Sequence, residues 1–296
     1  MKDMRFRGVG VALVTPFTAE SEVDYAALER MVEHVTEGGA DYIVALGSTA
    51  EAATLRANER EEVLRFIIDR NAGRLPIVAG VGGNFTQGVT EQLGTMNLDG
   101  VDAILSVTPF YNKPSQEGLY RHFSAIAQAS PRPVILYNVP GRTGINMTAQ
   151  TTLRIARDNS NVIGIKEASG DIEQMQRIID GRSDDFLVIS GDDALTVELM
   201  RRGGDGVISV AANAFPRRFT DCIAKAAQGL FDEADKAFAP LAQACEALFA
   251  EGNPTGVKCM LSVMGLAGDK VRLPLTEGSE SLRERFAKLV AEYELR

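Results

Sequence analysis

The 296-residue sequence has little cysteine and little histidine. Its three cysteines, Cys222, Cys245 and Cys259, are widely spaced without a CxxC pair, and His34 and His122 are its only histidines. Such spacing does not suit a zinc site built from cysteine and histidine, so we expect no metal. An odd number of separated cysteines favours buried free thiols in a reducing compartment.

The sequence also lacks an apolar run of about 18 residues, the length that a membrane span needs. Its first residues, Met1–Gly8, are charged and include no apolar stretch. We therefore predict a cytoplasmic chain without signal peptide or membrane span. The formal charge is −9, and basic residues cluster only in pairs such as Arg201-Arg202. Nucleic acid and anionic membranes are not expected partners.

Short apolar runs alternate with longer amphipathic stretches. Several of the runs are apolar throughout and rich in valine and isoleucine, which is typical of parallel strands buried on both faces. The runs are Val9–Val14, Tyr42–Leu46, Pro76–Ala79, Ala103–Val107, Pro133–Tyr137, Val162–Ile165, Phe186–Ile189 and Gly206–Val210. Helical patterns between them include Asp24–Glu37, Asn58–Arg70, Ser115–Gln128 and Asp171–Ile179, each with a polar residue suited to the helix start.

This alternation predicts an α/β protein with the (β/α)₈ architecture of the TIM barrel, a doubly wound open sheet being the alternative. No Gly-x-Gly-x-x-Gly fingerprint follows the first run, and the final part of the chain has helical periodicity without a clear strand. We predict that residues 1–215 form the barrel with the active site. Residues 216–296 are then an added C-terminal helical segment.

In such a barrel the chemistry lies at the carboxyl ends of the strands. Lys166 directly follows the apolar run Val162–Ile165. Partial desolvation there favours a neutral, nucleophilic amine suited to Schiff-base chemistry. The ordinary alternative is a lysine paired with a neighbour such as Glu167.

Two tyrosines fall near the same ends. Tyr137 closes the fifth run, where its phenol can move protons, although a core tyrosine would look the same. Tyr111 follows Thr108-Pro109 on a loop, and its alternative is a surface or interface aromatic.

The remaining candidates are polar residues on predicted loops. Arg142 lies between glycines after the fifth run, where it can hold a carboxylate with two hydrogen bonds or remain a solvated arginine. Ser48 and Thr49 follow Gly47, and they either bind a second carboxylate or cap a helix. The pair Asp192-Asp193 resembles a metal site but is better interpreted as the cap of a helix over Ala194–Met200.

Six segments together resemble the dihydrodipicolinate synthase and N-acetylneuraminate lyase superfamily over nearly the whole chain. They are Gly10–Phe17, Gly47–Leu55, Thr108–Tyr120, Leu136–Gly144, Gly164–Gly170 and Asn253–Pro254. Within the superfamily, the segment Tyr137–Thr143 resembles the synthases, because the lyases typically lack an arginine at the position of Arg142. The resemblance implies a barrel enzyme of the class I aldolase type that forms a Schiff base with pyruvate.

Transferred to this sequence, the resemblance implies that Lys166 forms the Schiff base and that Tyr137 transfers protons. Ser48 and Tyr111 would complete the proton relay, with Tyr111 reaching the site of a neighbouring subunit. The family implies a homotetramer made of two tight dimers.

The resemblance also implies how the substrates, pyruvate and aspartate semialdehyde, are held. Thr49 would bind the carboxylate of pyruvate, and Arg142 would bind the carboxylate of the semialdehyde. Ile208 and Gly191 would supply backbone carbonyls near the imine. No metal or organic cofactor is expected, because the lysine itself stores pyruvate as an enamine.

The chain departs from the synthase pattern at Ser48, where threonine is usual, and at Ala50, where glycine is usual. Two alternatives therefore stay open: a pyruvate-dependent aldolase of a sialic or 2-keto-3-deoxy sugar acid, and a non-catalytic binding barrel.

Regulation by lysine is a separate expectation from the same resemblance. Lysine-inhibited relatives use polar residues at positions that correspond to Ala57, Arg60, Gly88 and Phe110 in this sequence. Gly88 lacks the carboxylate and Phe110 lacks the hydroxyl that those relatives offer to lysine. Arg60 carries a positive charge, as the ammonium group of lysine does. We therefore expect weak or no inhibition by lysine.

Overall fold

The computed structural model describes residues 3–293, and its strands form a closed parallel barrel in chain order. The strands are β1 (Gly8–Ala12), β2 (Tyr42–Ala45), β3 (Ile77–Gly80), β4 (Ala103–Val107), β5 (Val134–Asn138), β6 (Val162–Glu167), β7 (Leu187–Ser190) and β8 (Gly206–Ser209). The predicted (β/α)₈ barrel is confirmed. Because β8 pairs with β1, the open-sheet alternative is excluded.

Helices cover the outside of the strands and continue after β8. They are α1 (Tyr25–Glu37), α2 (Ala57–Asn71), α3 (Thr86–Thr95), α4 (Gln116–Ala129), α5 (Pro140–Thr143), α6 (Ala149–Asp158), α7 (Ile172–Gly181), α8 (Thr196–Arg201), α9 (Pro216–Ala227), α10 (Phe231–Ala247), α11 (Thr255–Val263) and α12 (Glu280–Glu292). None of the helices within residues 3–293 combines the length and the apolar character that a bilayer crossing requires.

The predicted starts of α1, α4 and α7 are confirmed by side-chain caps. The side chains of Asp24, Ser115 and Asp171 each accept a backbone N–H from the first turn of the following helix. Such caps satisfy donors that the helix itself leaves unpaired. The start of α2 was placed wrongly by one residue, since the helix begins at Ala57 rather than Asn58.

The capping role predicted for Asp192-Asp193 is wrong for the second residue. Helix α8 begins only at Thr196, without a side-chain cap. The buried carboxylate of Asp193 instead accepts the N–H groups of Val210 and Ala211, just beyond β8. This long-range contact ties two adjacent strand ends together.

Aromatic side chains close the amino end of the barrel interior. Phe6 and Tyr42 are both fully buried and meet edge to face with their ring centroids 5.7 Å apart. Gly10 leaves the room for this packing, because a Cβ there would lie 2.1 Å from the Tyr42 ring. This packing fills the amino end of the interior, opposite to the carboxyl ends of the strands, where the candidate site lies.

The C-terminal helices pack back onto the barrel. Helix α9 contacts β1 and α1, α10 packs on α9, and α12 packs on α10 and α11. The division into residues 1–215 and 216–296 stays a prediction, and the contacts of α9 extend the helical layer around the barrel beyond residue 215.

Candidate active site

Lys166 and Tyr137 form a pair on the inner wall of the barrel. They are register partners on β6 and β5, and the side chains are only 6% and 7% exposed. The Lys166 Nζ lies 4.4 Å from the centroid of the Tyr137 ring. The strand continues to Glu167, so Lys166 lies within β6 rather than just after it, which holds its amine more rigidly than a loop would.

Glu167 is not the partner of Lys166, so that alternative is wrong. Adjacent strand residues point to opposite faces, and the Glu167 carboxylate accepts hydrogen bonds from the Asn138 Nδ2, the Ser169 N–H and the Gln174 Nε2. Burial raises the pKa of the Glu167 carboxyl, and these donors oppose the rise. Within residues 3–293, no carboxylate forms an ion pair with Lys166, so its amine is free to react.

Gly191 and Ile208 border the same space. Gly191 follows β7, its N–H donates to the Glu167 carbonyl at 2.7 Å, and a Cβ there would lie 3.1 Å from the Lys166 Cε. A side chain at position 191 would therefore crowd the lysine chain. Ile208 lies on β8 with its side chain 1% exposed among the inner-wall residues, next to Gly10 in the register.

Ser48 and Thr49 lie on one 3₁₀ turn, Ser48–Ala50, directly beyond β2. Ser48 is exposed, whereas Thr49 is 3% exposed. The Thr49 Oγ1 accepts a hydrogen bond of 2.9 Å from the Asn253 Nδ2. Because this bond uses the Thr49 oxygen as an acceptor, the hydroxyl proton remains available to a substrate oxygen.

Arg142 is held by the same asparagine. It lies in the short helix α5, and one guanidinium N–H donates to the Asn253 carbonyl at 3.0 Å. Arg142 forms no ion pair inside the described part of the chain, so its other N–H groups can take a carboxylate. Asn253 thus joins the two predicted carboxylate-binding residues. Sequence reasoning used Asn253 only as part of a motif and missed this role, since the contacts span 111 and 204 positions.

Tyr111 stands apart from the other candidates in the single chain. Its backbone is left-handed with φ 72°, and its side chain is 90% exposed. The hydrogen bonds within residues 3–293 include none between Tyr137 and Ser48 or Tyr111. The relay through Ser48 and Tyr111 therefore stays a prediction.

The barrel holds a buried lysine beside a tyrosine at the carboxyl ends of its parallel strands, and this lysine forms no ion pair within residues 3–293. This fold and site define the class of Schiff-base-forming lyases with the (β/α)₈ fold. The part of the chain that the structure describes holds no group of three or more His, Cys, Asp or Glu residues placed to bind a metal.

Comparisons with known proteins identify the family. The profile of the Dihydrodipicolinate synthetase family matches residues 5–293, and the chain belongs to this family. The 4-hydroxy-tetrahydrodipicolinate synthase of Parabacteroides distasonis is 52% identical over 275 residues, which cover 93% of each chain.

Two solved structures are similar as well. The chloride-inhibited dihydrodipicolinate synthase of Acinetobacter baumannii, complexed with pyruvate, has a TM-score of 0.95 at 41% identity and covers 98% of this chain and 99% of its own. A protein described as the first monomeric dihydrodipicolinate synthase variant has a TM-score of 0.96 at 39% identity, with coverage of 99% and 98%. The resemblance found in the sequence is confirmed.

Proposed function

We propose that the chain condenses pyruvate with L-aspartate 4-semialdehyde, the reaction of 4-hydroxy-tetrahydrodipicolinate synthases in lysine (diaminopimelate) biosynthesis. One observation carries the proposal: the Lys166 amine is buried in the barrel mouth, 4.4 Å from the Tyr137 ring centroid and without a carboxylate partner in the described chain. An amine in such a position is the nucleophile that a ketone substrate needs.

The reaction begins when the Lys166 Nζ attacks the ketone carbon of pyruvate. Loss of one water through the carbinolamine gives the imine, and loss of a methyl proton gives the enamine. Tyr137, held beside Lys166 by the register of β5 and β6, moves these protons. The enamine carbon then bonds to the aldehyde carbon of the second substrate. The amine of that substrate attacks the imine carbon and releases the lysine, which leaves 4-hydroxytetrahydrodipicolinate.

The carboxylates of the two substrates have separate binding residues. We assign the carboxylate of pyruvate to the hydroxyl and amide of Thr49, which lies buried close to the inner wall. The exposed Arg142 takes the carboxylate of the semialdehyde at the mouth. The carbonyls of Gly191 and Ile208 accept hydrogen bonds near the imine. Asn253 contacts both Thr49 and Arg142 and keeps the two carboxylate sites at a fixed separation.

The active form would be a homotetramer built from two tight dimers, in which Tyr111 completes the relay of the neighbouring subunit. The 90% exposure of Tyr111 supports this proposal, since a buried tyrosine could not reach another chain. Sedimentation velocity combined with activity at increasing dilution tests it. An active monomer would contradict it. We also propose a cytoplasmic location, a reaction without metal or organic cofactor, and no nucleic-acid or membrane partner.

Reduction with borohydride in the presence of pyruvate tests the central step. The expected product carries a pyruvate-derived mass on the peptide that contains Lys166. Labelling of another lysine, or of none, would overturn the mechanism. Turnover of aspartate semialdehyde in the same preparation separates the synthase from an aldolase, because an aldolase would instead release pyruvate from a sugar keto acid.

A further inference from the structure

The segment Gly47–Glu51, called the hydroxyl turn below, ends in an unusual backbone conformation. Glu51 is left-handed, with φ 54° and ψ 35°. A residue with a side chain adopts this conformation at an energetic cost, and it persists only where the surroundings hold it in place. The contacts that hold Glu51 therefore fix one end of the turn that carries Ser48 and Thr49.

Both carboxylate oxygens of Glu51 are bound by the C-terminal part of the chain. The Lys258 Nζ forms an ion pair with Oε1, and the Arg272 backbone N–H donates to Oε2 at 2.9 Å. The side chains of Glu51 and Lys258 are each only 1% exposed. Because both oxygens of this buried carboxylate are bound, the Glu51 side chain is restrained, and with it the end of the hydroxyl turn.

Lys258 is as firmly held as its partner. Its Nζ also donates to the Lys270 carbonyl at 2.9 Å and lies 4.0 Å from the centroid of the Phe17 ring. Burial lowers the pKa of Lys258 to about 8, and Glu51 opposes this shift, so the ammonium form prevails at neutral pH. Arg272 approaches the Phe17 ring to 4.4 Å and pairs separately with Glu59.

A second contact reaches the hydroxyl turn from the same region. Asn253, just before α11, donates to the Thr49 Oγ1, and Lys258 lies inside α11. One short segment, residues 253–258, thus fixes the turn at Thr49 and at Glu51. Within residues 3–293, no hydrogen bond, ion pair or ring contact joins Glu51 or Lys258 to the amine of Lys166, so their action is indirect.

We propose that Glu51 and Lys258 are positioning residues for pyruvate: their buried ion pair locks the hydroxyl turn so that Thr49 faces the carboxylate of the substrate. The inference rests on the proposed function, because it takes Thr49 as the residue that binds this carboxylate. Placement errors of about 1 Å are costly at such a site.

Three variants separate positioning from stability. Glu51→Gln and Lys258→Met each leave an uncompensated buried partner, and we expect the melting temperature to fall by roughly 10 °C. The double variant Glu51→Gln/Lys258→Met removes both charges, so its melting temperature returns to within a few degrees of the wild type. Asp205→Asn is the control, because it alters a buried carboxylate that forms ion pairs with Arg182 and Arg7 at the opposite end of the barrel.

The readout is the pyruvate concentration that gives half-maximal borohydride trapping on Lys166, together with the KM values of both substrates. We expect the trapping concentration and the KM for pyruvate to rise about tenfold in the double variant. A rise of this size corresponds to the loss of one hydrogen bond to a charged group. The KM for the semialdehyde should change less than about twofold, and Asp205→Asn should leave all three values unchanged.

A stable double variant with wild-type trapping and KM for pyruvate would overturn the inference. An equal rise in the KM values of both substrates would overturn it too, since it would indicate general loosening. Failure of the wild-type protein itself to trap pyruvate would be a different result, because it would refute the proposed function.

Discussion

The inner wall of the barrel and the rim above it place their functional groups by different means. On the wall, Lys166 and Tyr137 meet because the hydrogen-bond register of β6 and β5 aligns them. On the rim, Thr49 and Arg142 are aligned by Asn253, which comes from a distant part of the chain. The wall therefore obtains its geometry from the strand ladder, whereas the rim depends on tertiary contacts. Substitutions on the wall should affect the chemical step, and those on the rim should affect binding.

The strongest test on the wall is Lys166→Ala. We expect nearly all turnover to disappear, because the nucleophile is removed, while the fold is retained. Steady-state rates and far-ultraviolet circular dichroism measure the two effects. Lys236→Ala, which alters an exposed lysine on α10, is the control and should keep full activity. Substantial residual turnover in Lys166→Ala would place the Schiff base on another residue.

Gly191→Ala tests the wall without removing any reactive group. The added Cβ would lie 2.5 Å from the Ala168 Cβ and 3.1 Å from the Lys166 Cε, so the lysine chain must move. The 3.1 Å contact requires the lysine chain to give by a few tenths of an ångström, so we expect kcat to fall by about tenfold, less than the hundredfold cost of a misplacement of about 1 Å. Gly94→Ala in α3 is the matched control, since a Cβ there meets nothing within 4 Å. Equal activity of the two variants would show that Lys166 tolerates the displacement.

Arg142→Ala tests the rim. The loss of one bidentate, charge-assisted contact costs about 1.5–3 kcal/mol, so the KM for the semialdehyde should rise about ten- to a hundredfold. The KM for pyruvate should change little. Arg142→Lys keeps the positive charge but loses the planar guanidinium group that can bind both oxygens of a carboxylate. We therefore expect a KM for the semialdehyde between those of the wild type and Arg142→Ala. A similar rise for both substrates would mean that Arg142 acts mainly through Asn253 and Thr49.

The smallest effect is expected outside the mouth, in the response to added lysine. Gly88 offers no carboxylate, and Phe110 offers no hydroxyl. Asn84 is the polar residue that this sequence retains from the lysine-binding set of inhibited relatives, and its Nδ2 donates to the Phe110 carbonyl at 3.2 Å. Each missing charge-assisted partner weakens binding roughly ten- to a hundredfold. A dose–response assay at saturating pyruvate should therefore show little inhibition. Strong inhibition at submillimolar lysine would show that other residues form such a site.

Local sequence signals predicted the wall well. The apolar runs located the strands, and Asp24, Ser115 and Asp171 located helix starts, because these features depend on neighbours along the chain. Lys166 and Tyr137 could be singled out for the same reason, since polar residues interrupt apolar runs there. The rim was less predictable. The contacts of Asn253 with Thr49, and of Lys258 with Glu51, join residues more than 200 positions apart.

Asp193 is a second residue whose long-range contact could not be predicted from its neighbours in the sequence. Its position ahead of a helical pattern is typical of a cap, yet its carboxylate binds the backbone beyond β8. The parallel pairing of β7 with β8 brings that backbone close. Local periodicity carries no information on which distant N–H groups will need an acceptor, so the prediction failed for a physical reason.

The aromatic pair Phe6 and Tyr42 has a consequence for the order of events. Because these rings fill the amino end of the interior, we expect substrates to reach Lys166 from the carboxyl ends of the strands. Lys166 is buried on the inner wall there, whereas Arg142 is exposed at the rim. We therefore expect the ketone, which bonds to the buried Lys166, to bind before the aldehyde, which Arg142 would hold nearer to solvent. The product would then leave across the same rim before the next cycle starts.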